Sequence, residues 1–183
     1  MSYVTTGKPA TGGAVFFADT TASLPTDATT SLSGFTGLGY VSEDGVTNSD
    51  SKGYESIKAW GGDTVHMFAS EHTDTFQMTL IEAMDVNVLG LVYGSANVTG
   101  TLSTGIAIES NASEDGNYAF VIDMIFNGAL KRIVIPNGKV TEVGDITYTD
   151  SEAVGYEITI TAMPDSSGNT HYEYIVADDE SDS

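Results

Sequence analysis

The sequence predicts a mainly β protein, an antiparallel β-sandwich or partly closed barrel with one short flanking α-helix at about residues 84–93. Three observations carry this. The polar surface has to come from Thr, Ser, Asn and Gly, because charged residues are only 17% of the chain against ~25% in ordinary globular proteins; these uncharged types suit strands and turns better than long surface helices. Short apolar stretches with period-two alternation recur between Gly, Pro and Asn turn signals. A single segment switches to helical period.

Residues 1–36 are rich in Thr, Ser, Gly and Ala and read as a flexible N-terminal arm with one strand, Ala14-Val15-Phe16-Phe17-Ala18. Leu24-Pro25-Thr26-Asp27 starts a turn, since proline presets its own φ and pushes the residue before it to extended geometry. A strand signal around Leu38-Gly39-Tyr40-Val41 runs into residues 42–63, a polar stretch read as one long loop. Loops of that length inside a domain are uncommon, and either function or disorder has to explain them. Phe76, Met78 and Leu80 then alternate with Thr75, Gln77 and Thr79, placing the apolar set on one strand face.

Met84, Val88, Leu89, Val92 and Tyr93 fall at helical spacing, with Asp85 to cap the start and Gly94 to close the end. Val86, Val88, Gly90 and Val92 are poor helix formers, so tertiary packing has to hold this helix. Residues 118–126 and 129–135 flank Asn127-Gly128, the signature of a two-residue type I′ hairpin, and Asn137-Gly138 reads as a further turn. Val154, Tyr156, Ile158 and Ile160 alternate with polar residues; Pro164-Asp165-Ser166-Ser167-Gly168 turns the chain into a last strand at 172–176. Residues 178–183 form a solvated acidic tail. The length, 183 residues, fits a single domain.

Lys and Arg number 6 against 26 Asp and Glu, a formal net charge of −20, and there is no cysteine. Six cations cannot line a groove that grips nucleic acid, because phosphate neutralisation supplies nearly all non-specific affinity. Disulfides, thiolate metal sites and cysteine nucleophiles are excluded together. No stretch approaches a membrane span of about 20 apolar residues. The start, Met1-Ser2-Tyr3-Val4-Thr5, lacks the regions of a signal peptide, so the product is expected to remain in the cytoplasm that made it.

Specific chemistry is hard to place. Asn48-Ser49-Asp50-Ser51-Lys52-Gly53 resembles the start of a calcium loop, but Lys52 stands at a ligand position and Lys58 where a bidentate Glu belongs. His66, His72 and His171 do not have the spacing of a zinc pair and read as strand-face residues. Gly34-Phe35-Thr36-Gly37-Leu38-Gly39 reverses the dinucleotide-binding spacing and reads as a hinge. With 26 acids a carboxylate pair is always available, so a glycosidase-type reading carries little weight. Catalytic residues, cofactor and metal are therefore all expected to be absent.

Leu38-Gly39-Tyr40-Val41-Ser42-Glu43-Asp44-Gly45-Val46, Ile57-Lys58-Ala59-Trp60-Gly61-Gly62-Asp63 and Phe76-Gln77-Met78-Thr79-Leu80-Ile81-Glu82, in that order, resemble the major tail proteins of long-tailed, non-contractile bacteriophages, the subunits of the tail tube. Val154-Gly155-Tyr156-Glu157-Ile158-Thr159-Ile160 and its following strand are similar to the same proteins, so the likeness runs from about residue 37 to 176. It implies a ring-forming β-sandwich, hexameric rings stacked into a tube that conducts DNA to the host, and no enzymatic activity. The implied partners are other copies of the chain, a tape measure protein, a tail terminator and tail-tip or baseplate proteins, with DNA passing unbound and no membrane. The implied location is the virion tail, after assembly in the host cytoplasm.

The resemblance also makes residues 42–63 an inter-ring loop, which puts Glu43, Asp44, Asp50, Lys52, Lys58 and Trp60 at ring contacts. Trp60, the sole tryptophan, is then an interface anchor or, on the alternative reading, a core residue. A conduit must hold a polyanion without adhering to it, which an acidic wall achieves. Six copies of −20 make −120 per ring, a repulsion that assembly has to overcome with strand pairing between subunits, apolar contacts and the few cations. Lys52, Lys58, Lys131 and Arg132 are accordingly expected at subunit or ring contacts. The runner-up from composition is an acidic β-sandwich binding or adhesion module on a virion or cell surface.

Overall fold

The structure, a computed structural model, describes residues 3–10 and 12–177; the acidic tail expected at 178–183 lies outside the described residues. Its strands are β1 (Lys8–Pro9), β2 (Val15–Asp19), β3 (Thr36–Gly37), β4 (Val41–Lys58), β5 (Thr64–Leu80), β6 (Val98–Thr101), β7 (Gly105–Ile108), β8 (Tyr118–Phe126), β9 (Ala129–Val143), β10 (Tyr156–Ala162) and β11 (Tyr172–Ala177), with helix α1 (Val86–Tyr93) between β5 and β6. Nine strands form one antiparallel sheet in the order β3-β2-β8-β9-β10-β5-β4, with β1 added on β8 and β11 on β9; β6 and β7 make a separate hairpin.

The long strand β9 divides this sheet into two halves. Residues 129–135 pair with β8, and 129–134 also pair with β11, while residues 138–143 pair with β10. Between them stands Pro136, which has no amide to donate and so interrupts the ladder. Val15, Phe120, Ile122, Ile133 and Ile135 from one half meet Phe76, Met78, Leu80, Ile158 and Ile160 from the other in a common core, closed by Val88, Leu89 and Leu91 of α1. The result is sandwich-like: the sheet folds over itself and is not closed into a barrel.

Alternation in β5 and β10 reads as expected, with Phe76, Met78, Leu80, Tyr156, Ile158 and Ile160 all buried. Helix α1 has its cap at Asp85, whose carboxylate accepts from the Asn87 amide at 2.8 Å, and it ends at Gly94 with φ 92°. Burial of Val88, Leu89, Gly90 and Leu91 supplies what propensity does not.

Four expectations are corrected. Residues 42–63 are not a loop: most of them form β4, paired with β5 from Val46 to Lys58, and only the bulge at 42–45 and the turn at 59–63 are left out of the ladder. The segment is polar on both faces near its root, so alternation could not reveal it. Asn127-Gly128 does close a two-residue hairpin, Phe126 facing Ala129, but Gly128 alone takes positive φ (76°), which type I′ geometry does not permit. The Asn127 amide is instead engaged by Thr5 Oγ1 at 2.9 Å. Asn137-Gly138 lies within β9, where a side chain on residue 138 would stand 2.9 Å from both Phe120 and Ile160.

The fourth correction concerns residues 1–36, which are docked rather than loose where they are described. Lys8 and Pro9 pair with β8, and Ala14, Val15, Ala18 and Ala28 are buried. Arg132 holds the 27–30 turn by donating from Nη1 to the carbonyls of Asp27 (3.2 Å) and Thr30 (2.7 Å). Within that turn Asp27 accepts from the Thr30 hydroxyl and from the Thr30 and Thr29 amides, which lower its pKa to about 2.

Candidate assembly surface

β5 leaves the body of the protein halfway along its length. Its residues 74–80 are paired on both sides, with β4 and with β10, whereas residues 64–73 have β4 as their only neighbour. Beyond the pair Ser51 and Thr73, the two strands continue as a free ribbon to a turn at Ala59-Trp60-Gly61-Gly62-Asp63. There the Ala59 amide donates to the Asp63 carbonyl (2.8 Å), and Gly61 and Gly62 take φ 126° and 98°. Residues 51–58, at about 3.3 Å each, carry the turn about 26 Å from the root.

The register assigns side chains to the two faces of this arm. Tyr54 opposite Ala69 and Ser56 opposite Met67 share one face; Glu55 opposite Phe68 and Ile57 opposite His66 share the other, where the Phe68 and His66 rings stack at 6.2 Å. Tyr54 and Met67 on the first face, Ile57 and Phe68 on the second, and Val65 and Trp60 near the tip are all exposed. Trp60 is fully exposed, which removes the core alternative for it. Apolar surface on both faces of an isolated two-stranded ribbon is an arrangement that water does not support by itself.

A buried polar cluster fixes the root. Asp74, 1% exposed, accepts from Asn48 Nδ2 (2.8 Å), the Thr170 hydroxyl (2.6 Å) and His171 Nδ1 (2.5 Å). Burial pushes its carboxyl up, but the hydrogen bonds of Thr170, His171 and Asn48 and the nearby His171 together outweigh this and leave its pKa below the usual value. His171 also meets Phe76 edge-on at 5.3 Å, and its Nε2 lies 4.0 Å from Glu173, which is paired with Lys131 at 2.9 Å. Two residues further out on β5, His72 Nε2 reaches diagonally across the ladder to within 2.7 Å of Asp50 Oδ1.

The expected contact residues therefore separate. Lys52, Lys58 and Trp60 lie along the arm and Asp50 at its root, opposite Asp74; Glu43 and Asp44 are exposed in the bulge between Val41 and Val46, beside Met78 and Leu80 at the end of the paired segment away from the arm. Lys131, on β9, is tied to the arm root through Glu173, and its Nζ sits 5.8 Å over the Phe126 ring. Arg132 is committed within the subunit: only 5% exposed, it donates from Nε and Nη2 to the two Asp123 oxygens at 2.6 and 2.8 Å.

Lys139 is likewise paired, with Glu114 at 3.2 Å, whereas Lys52 and Lys58 have no carboxylate partner among the described residues. The arm at 51–72 carries these two lysines against Glu55, Asp63 and Glu71, a net −1, so that −19 falls on the remainder of the chain. The arm therefore carries little of the charge that makes copies of this acidic protein repel one another.

Sequence reasoning missed Asp74, Thr170 and His171, which are brought together from positions almost a hundred residues apart, and it missed the apolar arm residues. Val65-His66-Met67-Phe68-Ala69 was the available signal, an apolar run with no turn residue inside it. Among the described residues no group of three His, Asp or Glu side chains is placed to hold a metal ion, and residues 48–53, weighed above as a calcium loop, are regular strand. Open edges are present instead: β4 ends the sheet, and β11 exposes Ile175 and Val176 on a strand whose recorded ladder is to β9 alone. Open strand edges of this kind are able to accept a further strand.

No curated protein matches the chain. A family model described as "Phage tail tube protein" matches residues 7–183, which includes the arm, its root and both halves of the sheet. With nearly its whole length matched, the chain belongs to the phage tail tube protein family and is a structural component of the virion tail.

Proposed function

We propose that six subunits close into a ring, that rings stack head to tail into the tail tube, and that the β4–β5 arm reaches from each subunit into the adjacent ring. The observation that carries this is the arm itself. It projects from a well-packed body, is apolar on both faces, and is close to neutral in a protein of charge −20. Burial of its exposed aromatic and aliphatic side chains on assembly, at about 25 cal/mol per Å2 of apolar area, supplies the attraction that offsets repulsion between acidic subunits. Pairing between open sheet edges closes the ring, and heterologous contacts repeated along an axis give an open tube.

The role is non-catalytic. DNA passes through the tube without specific binding, because Arg132, Lys131 and Lys139 are engaged by carboxylates within the subunit and offer few cations to phosphate. A tape measure protein, a terminator and tail-tip proteins are the partners this role requires, and assembly takes place in the host cytoplasm.

Electron microscopy of the purified chain, beside a variant in which residues 52–72 are replaced by Asn-Gly, tests the reading. The full chain is expected to form hollow tubes with six-fold end views. The shortened chain should keep the unfolding midpoint of the body and form no tubes. Tubes from the shortened variant, or a full chain that stays monomeric at every salt concentration, would refute the proposal.

A further inference from the structure

The arm leaves the sheet at the Asp74 end of the paired segment of β5. At the other end of that segment, Leu80 leads through Asp85 into α1, whose last residue, Tyr93, packs edge-on against Tyr156 at 6.1 Å; Tyr156 is in register with Leu80. Beside the C-terminal turn of α1 lies an open groove of about 610 Å3, whose walls include Leu91, Tyr93, Asp115, Tyr118, Glu142 and Val143. The groove runs along the body from Lys139, in register with Thr161 and Thr75 near the arm root, to Tyr93 beside Tyr156 at the Leu80 end, and so lies apart from the arm tip.

The chemistry of the two is complementary. The arm tip presents a fully exposed indole, Trp60, two residues from Lys58, which has no carboxylate partner among the described residues. The groove offers tyrosine rings and aliphatic side chains beside carboxylates. Its own cation, Lys139, is already engaged by Glu114 at 3.2 Å, and Asp115 is fixed by the Tyr118 hydroxyl at 2.8 Å, while Glu142 is exposed. An aromatic anchor with a flanking cation fits an aromatic groove with a flanking carboxylate. Head-to-tail stacking needs two different contact surfaces on the protomer, and the arm tip, about 26 Å beyond the root, and this groove on the body are different surfaces.

We infer that the groove between the C-terminal turn of α1 and residues 139–143 of β9 is the receptor for the arm tip of a second copy of this chain, with Trp60 seated against Tyr93 and Tyr118 and Lys58 paired with Glu142. The inference rests on the reading that copies stack through the arm, and it names the surface on which the arm lands.

A photo-crosslinking residue, p-benzoylphenylalanine, in place of Trp60 in the full chain tests it once tubes have formed, with the linked peptides identified by mass spectrometry. Links from position 60 to residues 91–94, 110–118 or 139–143 of another copy are expected. Links to any other surface overturn the groove and leave arm-mediated stacking intact. Tubes with no link between copies, or no tubes at all, overturn both. Charge exchange gives a second measure that does not depend on the probe. Lys58→Glu and Glu142→Lys should each raise the critical concentration for tubes about tenfold, and the double variant should restore it. Two single defects that simply add in the double variant would refute the pairing.

Discussion

Residues 74–80 and 64–72 belong to one strand and face opposite conditions. In the first stretch Asp74, Phe76, Met78 and Leu80 are buried and the residues between them are not; in the second every residue is exposed, including Val65, Met67 and Phe68. The backbone is the same and so is the partner strand β4, so secondary structure does not distinguish them. Coverage does: β10 pairs alongside the inner stretch and the common core covers its buried side chains, whereas among the described residues nothing covers the outer one. Apolar side chains that the strand's own fold does not cover are what the proposed contact with a neighbouring subunit would bury.

Four substitutions or conditions can break that contrast. Phe76→Ala, which opens a cavity in the shared core, should cost about 3–5 kcal/mol of stability, read from urea unfolding of the monomer. Arg132→Ala leaves Asp123 without its bidentate partner and the carbonyls of Asp27 and Thr30 without a donor; about 3 kcal/mol should be lost in the same measurement.

Acid should act next, through Asp74. Its folded pKa is depressed, so the stability it contributes is present above the ordinary carboxylate pKa and is lost as pH falls toward the folded value. The difference between the wild type and Asp74→Asn in urea midpoint should therefore shrink from pH 7 to pH 3. Asp27, held at about 2, titrates in both proteins and cancels. The groups facing Asp74 are Asn48, Thr170 and His171, with Asp50 opposite in the ladder and Glu173 beyond His171. The smallest monomer effect belongs to Phe68→Ala, within about 0.5 kcal/mol as for other exposed sites, although the same change should weaken tube formation seen by sedimentation. A Phe68→Ala monomer as damaged as Phe76→Ala would erase the contrast.

How far this could be read from residues follows from the same division. Phe76, Met78, Leu80, Tyr156 and Ile158 announce their strands because one face is buried by the chain itself, and Asp85 and Gly94 announce the ends of α1 because caps are local chemistry. The family is recognisable for the same reason, since ordered motifs such as Ala-Trp-Gly-Gly-Asp lie close together in sequence. The 42–58 segment was hidden because neither face alternates. The turn at Asn127 departs from its signature where a distant residue, Thr5, meets it, and Asn137-Gly138 departs because Phe120 and Ile160 leave no room for a side chain. No sequence pattern reveals that Asp123 lies across the ladder from Arg132 and engages its guanidinium within the subunit.

The root cluster also sets an order of events. Asp74 draws one partner from residue 48 and two from residues 170 and 171, so during synthesis its carboxylate waits for almost the whole chain to emerge from the ribosome before its bonds are complete. Until then the arm has no fixed footing and its register is free to slip. The footing of the arm is thus completed only when residues 170 and 171, near the C-terminal end of the described chain, have taken their places.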